Sequence, residues 1–235
     1  MCGRYTLTLD IQTMLQVLLN RYDIELSLPF ADYRPRYNIA PGQQIMAVIN
    51  DGKQNRTGTL HWGLIPSWAK DPSVGYKMIN ARAETAAEKP AFKSSFQSRR
   101  CTILADGFYE WKKEKDKKVP MRVKLKQDRL FALAGLWASW KSPKGESIYS
   151  CTIITTTPND LLEDLHHRMP VILPAESEKI WLDPSIEDTD LLKSLLTPYP
   201  SHEMEVYEVS PRVNSWQNDT PDCILPVKQT SEDTS

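Results

Sequence analysis

Closely spaced β-patterned segments in the middle of the chain are the feature that most constrains its fold. They lie at residues 101–111, 121–126, 130–136 and 148–156, and each has the apolar pattern of a strand. The charged run between the first two, residues 112–118, is typical of a solvent-exposed hairpin tip and not of a binding patch. Consecutive strands joined in this way predict an antiparallel sheet.

The segments on either side of this region add helices and further strands. Asp10 is a favourable N-cap for an amphipathic helix whose apolar residues begin at Ile11. Further helical patterns occupy residues 83–96, with an interruption at Pro90, and residues 159–165, 176–182 and 189–196. Strand-like patterns occupy residues 45–49 and 59–64, and proline-containing loops are expected at residues 34–42 and 65–72.

No internal repeat or low-complexity linker divides the chain. We therefore predict a single α+β domain over residues 1–228, built on a mainly antiparallel, barrel-like β-sheet with flanking helices. The polar residues 229–235 are expected to form a disordered tail.

The composition excludes several classes of protein. Hydrophobic residues at 40% and charged residues at 25% are ordinary for a globular chain of 235 residues. The residues after Met1 lack the apolar core of a signal peptide, and no apolar run reaches the roughly 18–20 residues that span a bilayer. We therefore expect a soluble, cytoplasmic protein with no membrane partner.

The four cysteines are Cys2, Cys101, Cys151 and Cys223, and they form no CxxC pair and no grouping with histidine. A zinc site is therefore not indicated, and neither is any other cofactor. Cys101 and Cys151 each open an apolar, β-rich stretch and are expected to be small buried thiols. In a reducing cytosol Cys2 would stay a free thiol.

The charge is unevenly distributed although the net charge is only −1. Residues 1–100 carry 13 Lys and Arg against 8 Asp and Glu, and residues 101–235 carry 16 against 22. This asymmetry indicates either a basic surface built mainly from the first half or simply scattered surface charge.

Cys2 stands directly after the initiator methionine, in Met1-Cys2-Gly3-Arg4-Tyr5. Removal of Met1 would leave a free amine and a free thiol on one carbon. Such a 1,2-aminothiol condenses with an aldehyde to an imine, and the sulfur then closes a five-membered thiazolidine ring. Reference pKa values of about 7.7–8.0 for the amine and about 8.5 for the thiol leave a reactive fraction of both near neutral pH. The alternative is an accident of position in a poorly ordered terminus.

Two further segments carry side chains suited to chemistry. In Asn80-Ala81-Arg82 an extended backbone would project the amide and the guanidinium to one face, where they suit a sugar and a phosphate. The alternative is polar capping of a helix. In Gly107-Phe108-Tyr109-Glu110-Trp111 a carboxylate lies among aromatics, which favours a raised pKa and proton transfer near neutrality. A glutamate paired with an arginine is the alternative.

His166, His167 and Arg168 follow a helix-like segment, and two histidines beside an arginine suggest acid–base chemistry near an anion. They do not suggest a metal site, because adjacent histidines point apart and no carboxylate or thiol completes a ligand set. Trp68 lies on a loop between two prolines, where it would suit stacking on a base, although a core position is the alternative.

Six motifs, taken together, resemble those of the SOS-response-associated peptidase family of abasic-site processing proteins. They occur in the family's order from Cys2 to Val213: CGRY at residues 2–5, YNIAP at 37–41, WGLIPSW at 62–68, NARAET at 80–85, GFYEW at 107–111 and HHRMP at 166–170. The resemblance implies a protein that crosslinks itself to abasic sites in single-stranded DNA as a monomer. It further implies association with the replication machinery and, in a bacterium, with the nucleoid.

The resemblance also implies roles for individual residues. Cys2 would be the nucleophile, and Asn80, Glu110 and His166 would complete the catalytic set, with His166 chosen over His167 by the motif alone. His166 would donate a proton to the sugar ring oxygen, and Glu110 would accept one from the Cys2 ammonium. The DNA contacts would come from Arg4, Pro41, Trp68, Arg82 and Arg168.

Two other classes of function stay open. An N-terminal cysteine is also the nucleophile of N-terminal-nucleophile amidohydrolases, and the family name refers to a peptidase of that kind, which would need an oxyanion hole. A non-catalytic reader of damaged DNA would need only the basic surface and Trp68.

Overall fold

The computed structural model of the protein describes residues 2–24, 33–115, 117–127 and 130–227. Its strands are β1 (Tyr5–Leu7), β2 (Arg36–Ile39), β3 (Gln44–Asn50), β4 (Asn55–Trp62), β5 (Asn80–Arg82), β6 (Arg100–Ala105), β7 (Gly107–Glu114), β8 (Lys117–Leu125), β9 (Phe131–Lys141), β10 (Ser147–Thr156), β11 (Met169–Pro170), β12 (Ile172–Leu173) and β13 (Met204–Glu208). Its α-helices are α1 (Ile11–Tyr22), α2 (Lys93–Ser98), α3 (Ala175–Leu182) and α4 (Thr189–Ser194).

Five strands close into a barrel in the order β10, β4, β3, β6 and β9, with β9 pairing back onto β10. All of these pairings are antiparallel except that of β4 with β10, where His61 lies opposite Ser150. The barrel interior is tightly packed at Gly135, because a Cβ there would lie 2.7 Å from Ile103 Cδ1. Closure removes the exposed edges that a sheet of this size would otherwise present.

A second sheet has the strand order β13, β8, β7, β1 and β2, and it carries the amino-terminal residues between β7 and β2. The short strand β5 lies against β10 in a parallel pairing, with Asn80 opposite Ile153. Strands β11 and β12 attach to β10 and β9. The prediction of one α+β domain with a mainly antiparallel, barrel-like sheet and flanking helices is confirmed.

Several sequence expectations hold in detail. Asp10 caps α1 by accepting a hydrogen bond from the Thr13 N–H. Cys101 and Cys151 are fully buried, as expected of small thiols in strands. The loop at residues 65–72 also forms as expected, and α3 and α4 match the helical patterns at residues 176–182 and 189–196.

The strand predicted at residues 101–111 is in fact two strands in different sheets, which meet at Asp106. Gly107 makes this change of sheet possible, because a Cβ there would lie 2.8 Å from Arg122 Nε and 2.9 Å from Thr6 Oγ1. A hydrophobic pattern reports the apolar residues of both strands, but it does not report a break of one residue between them.

Three other boundaries differ from the expectation. Residues 159–165 form consecutive turns and not a helix, since a segment of under two turns gains too few hydrogen bonds to offset nucleation. Residues 83–92 also form turns, so that only α2 is helical in the segment 83–96. The loop predicted at residues 34–42 contains β2, which pairs with β1.

The tail predicted at residues 229–235 lies outside the described residues. Within the described ranges, none of the helices is both long and apolar enough to cross a membrane.

Candidate active site and nucleic-acid interface

The pairing of β1 with β7 brings the amino-terminal residues alongside Glu110. Tyr5 lies opposite Phe108, and the Tyr109 N–H donates to the Arg4 carbonyl over 2.9 Å. Because β1 runs antiparallel to β7, the same register extended toward the amino terminus places Cys2 close to Glu110. The pairing of β1 with β7 in the second sheet therefore determines that the carboxylate near Cys2 is that of Glu110.

A buried polar cluster holds β1 in this register. Asp106, between β6 and β7, accepts hydrogen bonds from the hydroxyls of Thr6 and Thr8 and from the Thr8 N–H. Its carboxylate also lies 3.3 Å from Arg122 Nη2 on β8, and both side chains of this ion pair are less than a tenth exposed. Sequence reasoning did not single out this cluster, because its members are far apart along the chain.

Cys2 is fully buried. Burial raises the pKa of its thiol well above the usual range, and the negative charge of Glu110 raises it further. The sulfur is therefore a neutral thiol at pH 7, and it needs a base nearby before it reacts as a thiolate.

Glu110 is 4% exposed, and burial raises its pKa to about 7. A carboxylate that titrates near neutrality exchanges protons readily at physiological pH. The charge of Glu110 acts on the Cys2 thiol, so the carboxylate and the sulfur lie near one another.

His166 lies on the segment that precedes β11. Its Nδ1 lies 3.1 Å from the Arg168 backbone nitrogen and 3.2 Å from the Arg168 carbonyl oxygen, so the backbone of Arg168 fixes the orientation of the ring. Burial is the main cause that lowers the pKa of His166 to about 4, and the neighbouring His167 lowers it further. The imidazole is therefore neutral at pH 7.

Arg168 is buried and fixes the segment that carries His166. Its guanidinium forms a bidentate ion pair with Glu84, with N···O distances of 2.7 and 2.9 Å, and it also donates to the Thr155 carbonyl. These contacts engage several of its N–H groups in protein partners. The motif residues Glu84 and Arg168 thus join two parts of the chain that are distant in sequence.

Asn80 and Arg82 lie on β5, and the exposed Arg82 side chain is accessible to a ligand. The Asn80 amide donates a long hydrogen bond of 3.4 Å to the Ile153 carbonyl, whereas its buried Oδ1 has no hydrogen-bond donor among the described residues. A buried acceptor without a donor is costly unless a ligand supplies one.

Arg4 is held by protein acceptors. Nη1 donates to Asn38 Oδ1 and to the Val213 carbonyl, both over 2.7 Å, and Nη2 donates to the Asn214 carbonyl. The guanidinium carbon also lies 5.8 Å from the Trp111 ring centroid. Arg4 therefore ties the amino-terminal segment to residues near the end of the chain.

A cavity of about 650 Å³ opens over Glu110 and His166. The other lining residues were not predicted as site residues, although His167 was considered as the alternative to His166. They are Trp111, Lys113, Lys118, Glu163, Asp164, Leu165, His167 and Asn214. The His166 and His167 rings stack with centroids 4.2 Å apart. Strict alternation along β7 would place Trp111 and Lys113 on the face opposite Glu110, so no sequence pattern indicated them.

The structure places the predicted stacking residues elsewhere. Trp68 is 62% exposed and lines a separate cavity of about 370 Å³ together with Pro90 and Arg99. Pro41 is half-buried at the turn between β2 and β3. The core alternative for Trp68 is wrong, and the Trp68 ring is available to a ligand.

Among the described residues, no three His, Cys, Asp or Glu side chains gather in a group that could hold a metal ion. The cavity lining supplies the Glu110 carboxylate and the imidazoles of His166 and His167, whereas Cys2 and Asn80 are not among the lining residues.

The sequence model of the SOS response associated peptidase (SRAP) family matches residues 1–216. The chain is 54% identical over 225 residues to the abasic site processing protein YoqW of Bacillus subtilis (strain 168), covering 95% of this chain and 99% of the relative. It is 32% identical over 227 residues to the abasic site processing protein HMCES of Xenopus tropicalis, covering 83% of this chain and 67% of the relative. A solved structure from Bacteroides thetaiotaomicron matches with a TM-score of 0.85 and 25% identity, covering 96% of this chain and 100% of that chain.

Proposed function

The chain belongs to the SRAP family, and from that premise we propose that it processes abasic sites in DNA by capturing the sugar aldehyde covalently through Cys2. The observation that carries this proposal is the electrostatic coupling of the buried Cys2 thiol to Glu110, which lines one cavity together with His166. These are the groups that imine formation and ring closure require. An activity on DNA also implies a cytoplasmic, nucleoid-associated protein if the source is a bacterium.

The proposed reaction begins with the amine of Cys2 after Met1 has been removed. The amine attacks C1′ of the open sugar, a C–N bond forms, and loss of water gives the imine. The Cys2 S–H then adds across the C=N bond, so that a C–S bond forms and the thiol proton ends on nitrogen. No electrons are gained or lost overall. Because the buried sulfur is a neutral thiol, the amine reacts before the sulfur does.

Glu110 and His166 assist the proton transfers of this reaction. Glu110, with a pKa of about 7, accepts a proton from the Cys2 ammonium and gives it to the hydroxyl that leaves as water. It then accepts the thiol proton and passes it to the nitrogen. His166 assists opening of the closed sugar by donating a hydrogen bond from Nε2 to the ring oxygen. The Asn80 Oδ1, which lacks a donor in the described chain, accepts a hydrogen bond from a sugar hydroxyl.

The DNA contacts divide into accessible groups and groups already held by the protein. The accessible groups are the exposed Arg82 for phosphate and Trp68 with Pro41 for stacking on bases. Arg4 and Arg168 act on DNA only through the N–H groups that their protein contacts leave. Aromatic stacking favours unpaired bases, so single-stranded DNA is the proposed substrate and the replication machinery a proposed partner.

Incubation with a single-stranded oligonucleotide that carries one abasic site tests the proposal. Wild-type protein should give a covalent band on a denaturing gel, and Cys2→Ala should give none while retaining non-covalent binding. Cleavage of an amide substrate without a band would support the amidohydrolase, and binding without either would support the non-catalytic reader. An undiminished band with Cys2→Ala would contradict the role of Cys2.

A further inference from the structure

Two lysines face each other across the hairpin formed by β7 and β8. Lys113 is the direct cross-strand partner of Lys118 in this antiparallel pair. Like charges directly opposite one another destabilise a sheet. The neighbouring pairs avoid this problem, because Glu114 lies opposite Lys117 and Lys112 lies opposite Val119. The sequence pattern predicts only a solvent-exposed tip here.

These two lysines also line the cavity that contains Glu110 and His166. Lys113 is close enough to His166 for its positive charge to lower the pKa of that imidazole. By contrast, the neighbouring Lys112 is not among the lining residues, and its ammonium lies 2.8 Å from Glu114. The repulsive pair Lys113–Lys118 therefore lines the candidate active site, whereas the Lys112 side of the ion pair Lys112–Glu114 does not.

No acidic residue of the described chain forms an ion pair with Lys113 or Lys118. Glu163 and Asp164 line the same cavity from the segment before His166, but they lie beyond ion-pair distance of both lysines. An anion in the cavity would thus be attracted to the hairpin wall and repelled from the opposite wall. A pair of lysines arranged in this way suits a single phosphate.

We propose that Lys113 and Lys118 form a binding subsite for one phosphodiester group of the DNA strand that flanks the abasic site. This inference rests on the proposed function, since it takes the strand to lie across the cavity over Glu110 and His166. A bound phosphate would relieve the repulsion between the two ammonium groups. The subsite would fix the path of the backbone without reading its sequence.

The test compares Lys113→Ala/Lys118→Ala with the matched control Lys112→Ala/Lys117→Ala, which removes the same charge from the same hairpin. Non-covalent affinity for single-stranded abasic DNA is measured against salt concentration, so that the result does not depend on crosslinking. Loss of one phosphate contact should lower the salt slope by about 0.7 in the first variant and leave it nearly unchanged in the control. Lys113→Arg/Lys118→Arg should keep the wild-type slope.

Oligonucleotides with a single uncharged methylphosphonate, moved one linkage at a time away from the lesion, locate the contact. At one position the modification should weaken wild-type binding and should have no further effect on Lys113→Ala/Lys118→Ala. Equal salt slopes for the two double variants would overturn the subsite. It would also be overturned if, at every position, the loss of affinity from the methylphosphonate multiplied the loss from Lys113→Ala/Lys118→Ala. Failure of the proposed function is distinguishable, since wild-type protein would then form no covalent band whatever the lysines bind.

Discussion

At the scale of single residues, Glu110 combines a cost to stability with a use in chemistry. Burial raises its pKa from 4.5 to about 7. The folded state therefore binds this proton more tightly than the unfolded state does. The resulting stability is fully present below pH 4.5 and is lost as the pH rises through about 7. At neutral pH and above, the folded protein keeps a charged carboxylate buried, and this destabilises it. A neutral side chain at the same position would not have that effect.

Glu110→Gln should therefore stabilise the protein above neutral pH and slow its reaction. The stabilisation relative to wild type should grow as pH rises, to at most about 3.5 kcal/mol at about 1.4 kcal/mol per pKa unit. Crosslinking should slow by about 10²–10⁴-fold, as is typical of general acid–base groups. Urea unfolding at two pH values and single-turnover rates measure the two effects. A variant that is less stable at alkaline pH would contradict the raised pKa.

His166 differs from Glu110 because its pKa, about 4, keeps it neutral throughout the working range. His166→Ala should slow crosslinking to the closed sugar more than crosslinking to an oligonucleotide aldehyde that cannot cyclise. The reason is that only the closed sugar needs a hydrogen-bond donor at its ring oxygen. Single-turnover rates with both DNAs check this. Equal losses on the two substrates would leave His166 a purely positional role.

At the scale of elements, Asp106 couples the two sheets to the position of the terminus. It joins β6 to β7, and its carboxylate holds Thr6 and Thr8 beside Arg122. The amino-terminal residues reach Glu110 only if β1 keeps its register on β7. The geometry of the site therefore depends on a residue that touches none of the reacting groups.

Asp106→Ala should lower the free energy of unfolding by about 3 kcal/mol, because it leaves the buried Arg122 charge without its partner. It should also slow crosslinking, since β1 loses its clamp. Asp71→Ala provides the control, because Asp71 is an exposed cap of the short 3₁₀ helix Pro72–Lys77 and its loss should cost much less. Urea denaturation of both variants gives the comparison. Similar losses in the free energy of unfolding for Asp106→Ala and Asp71→Ala would show that the Asp106 cluster does not hold β1.

Sequence reasoning predicted the elements better than their connections. The amphipathic pattern after Asp10 and the apolar strand patterns predict α1, β3 and β10, because each is set by local periodicity. The change of sheet at Asp106 depends on contacts of Gly107 with Arg122 and Thr6, which no local pattern reports. The motifs likewise identified Glu110 and His166 as candidates. Trp111 and Asn214, which line the same cavity, come from separate segments that only the fold brings together.

At the scale of the whole molecule, the excess of basic residues in the first half predicts DNA binding that weakens with salt. Arg82→Ala should reduce the salt slope by about 0.7, the value for one phosphate contact on a single strand. The matched control is Arg56→Ala, which removes an exposed arginine that pairs with Asp51 at the start of β4. Affinities at several salt concentrations measure both slopes. An unchanged slope for Arg82→Ala would mean that Arg82 does not bind phosphate.

The central claim is that the amine and the thiol of Cys2 both become bonded to C1′ of the abasic sugar. Mass spectrometry of the proteolysed adduct tests it most directly. The account predicts that Met1 is absent, that the peptide beginning at Cys2 carries the sugar with loss of one water, and that it has no free thiol and is unchanged by borohydride. An open imine has the same mass but would keep its thiol and be reduced. Protein that retains Met1 or an amino-terminal tag should form no stable adduct, whereas a tag after Ser235 should have no effect. Attachment of the sugar to any residue other than Cys2, or a stable adduct on protein that retains Met1, would contradict the account.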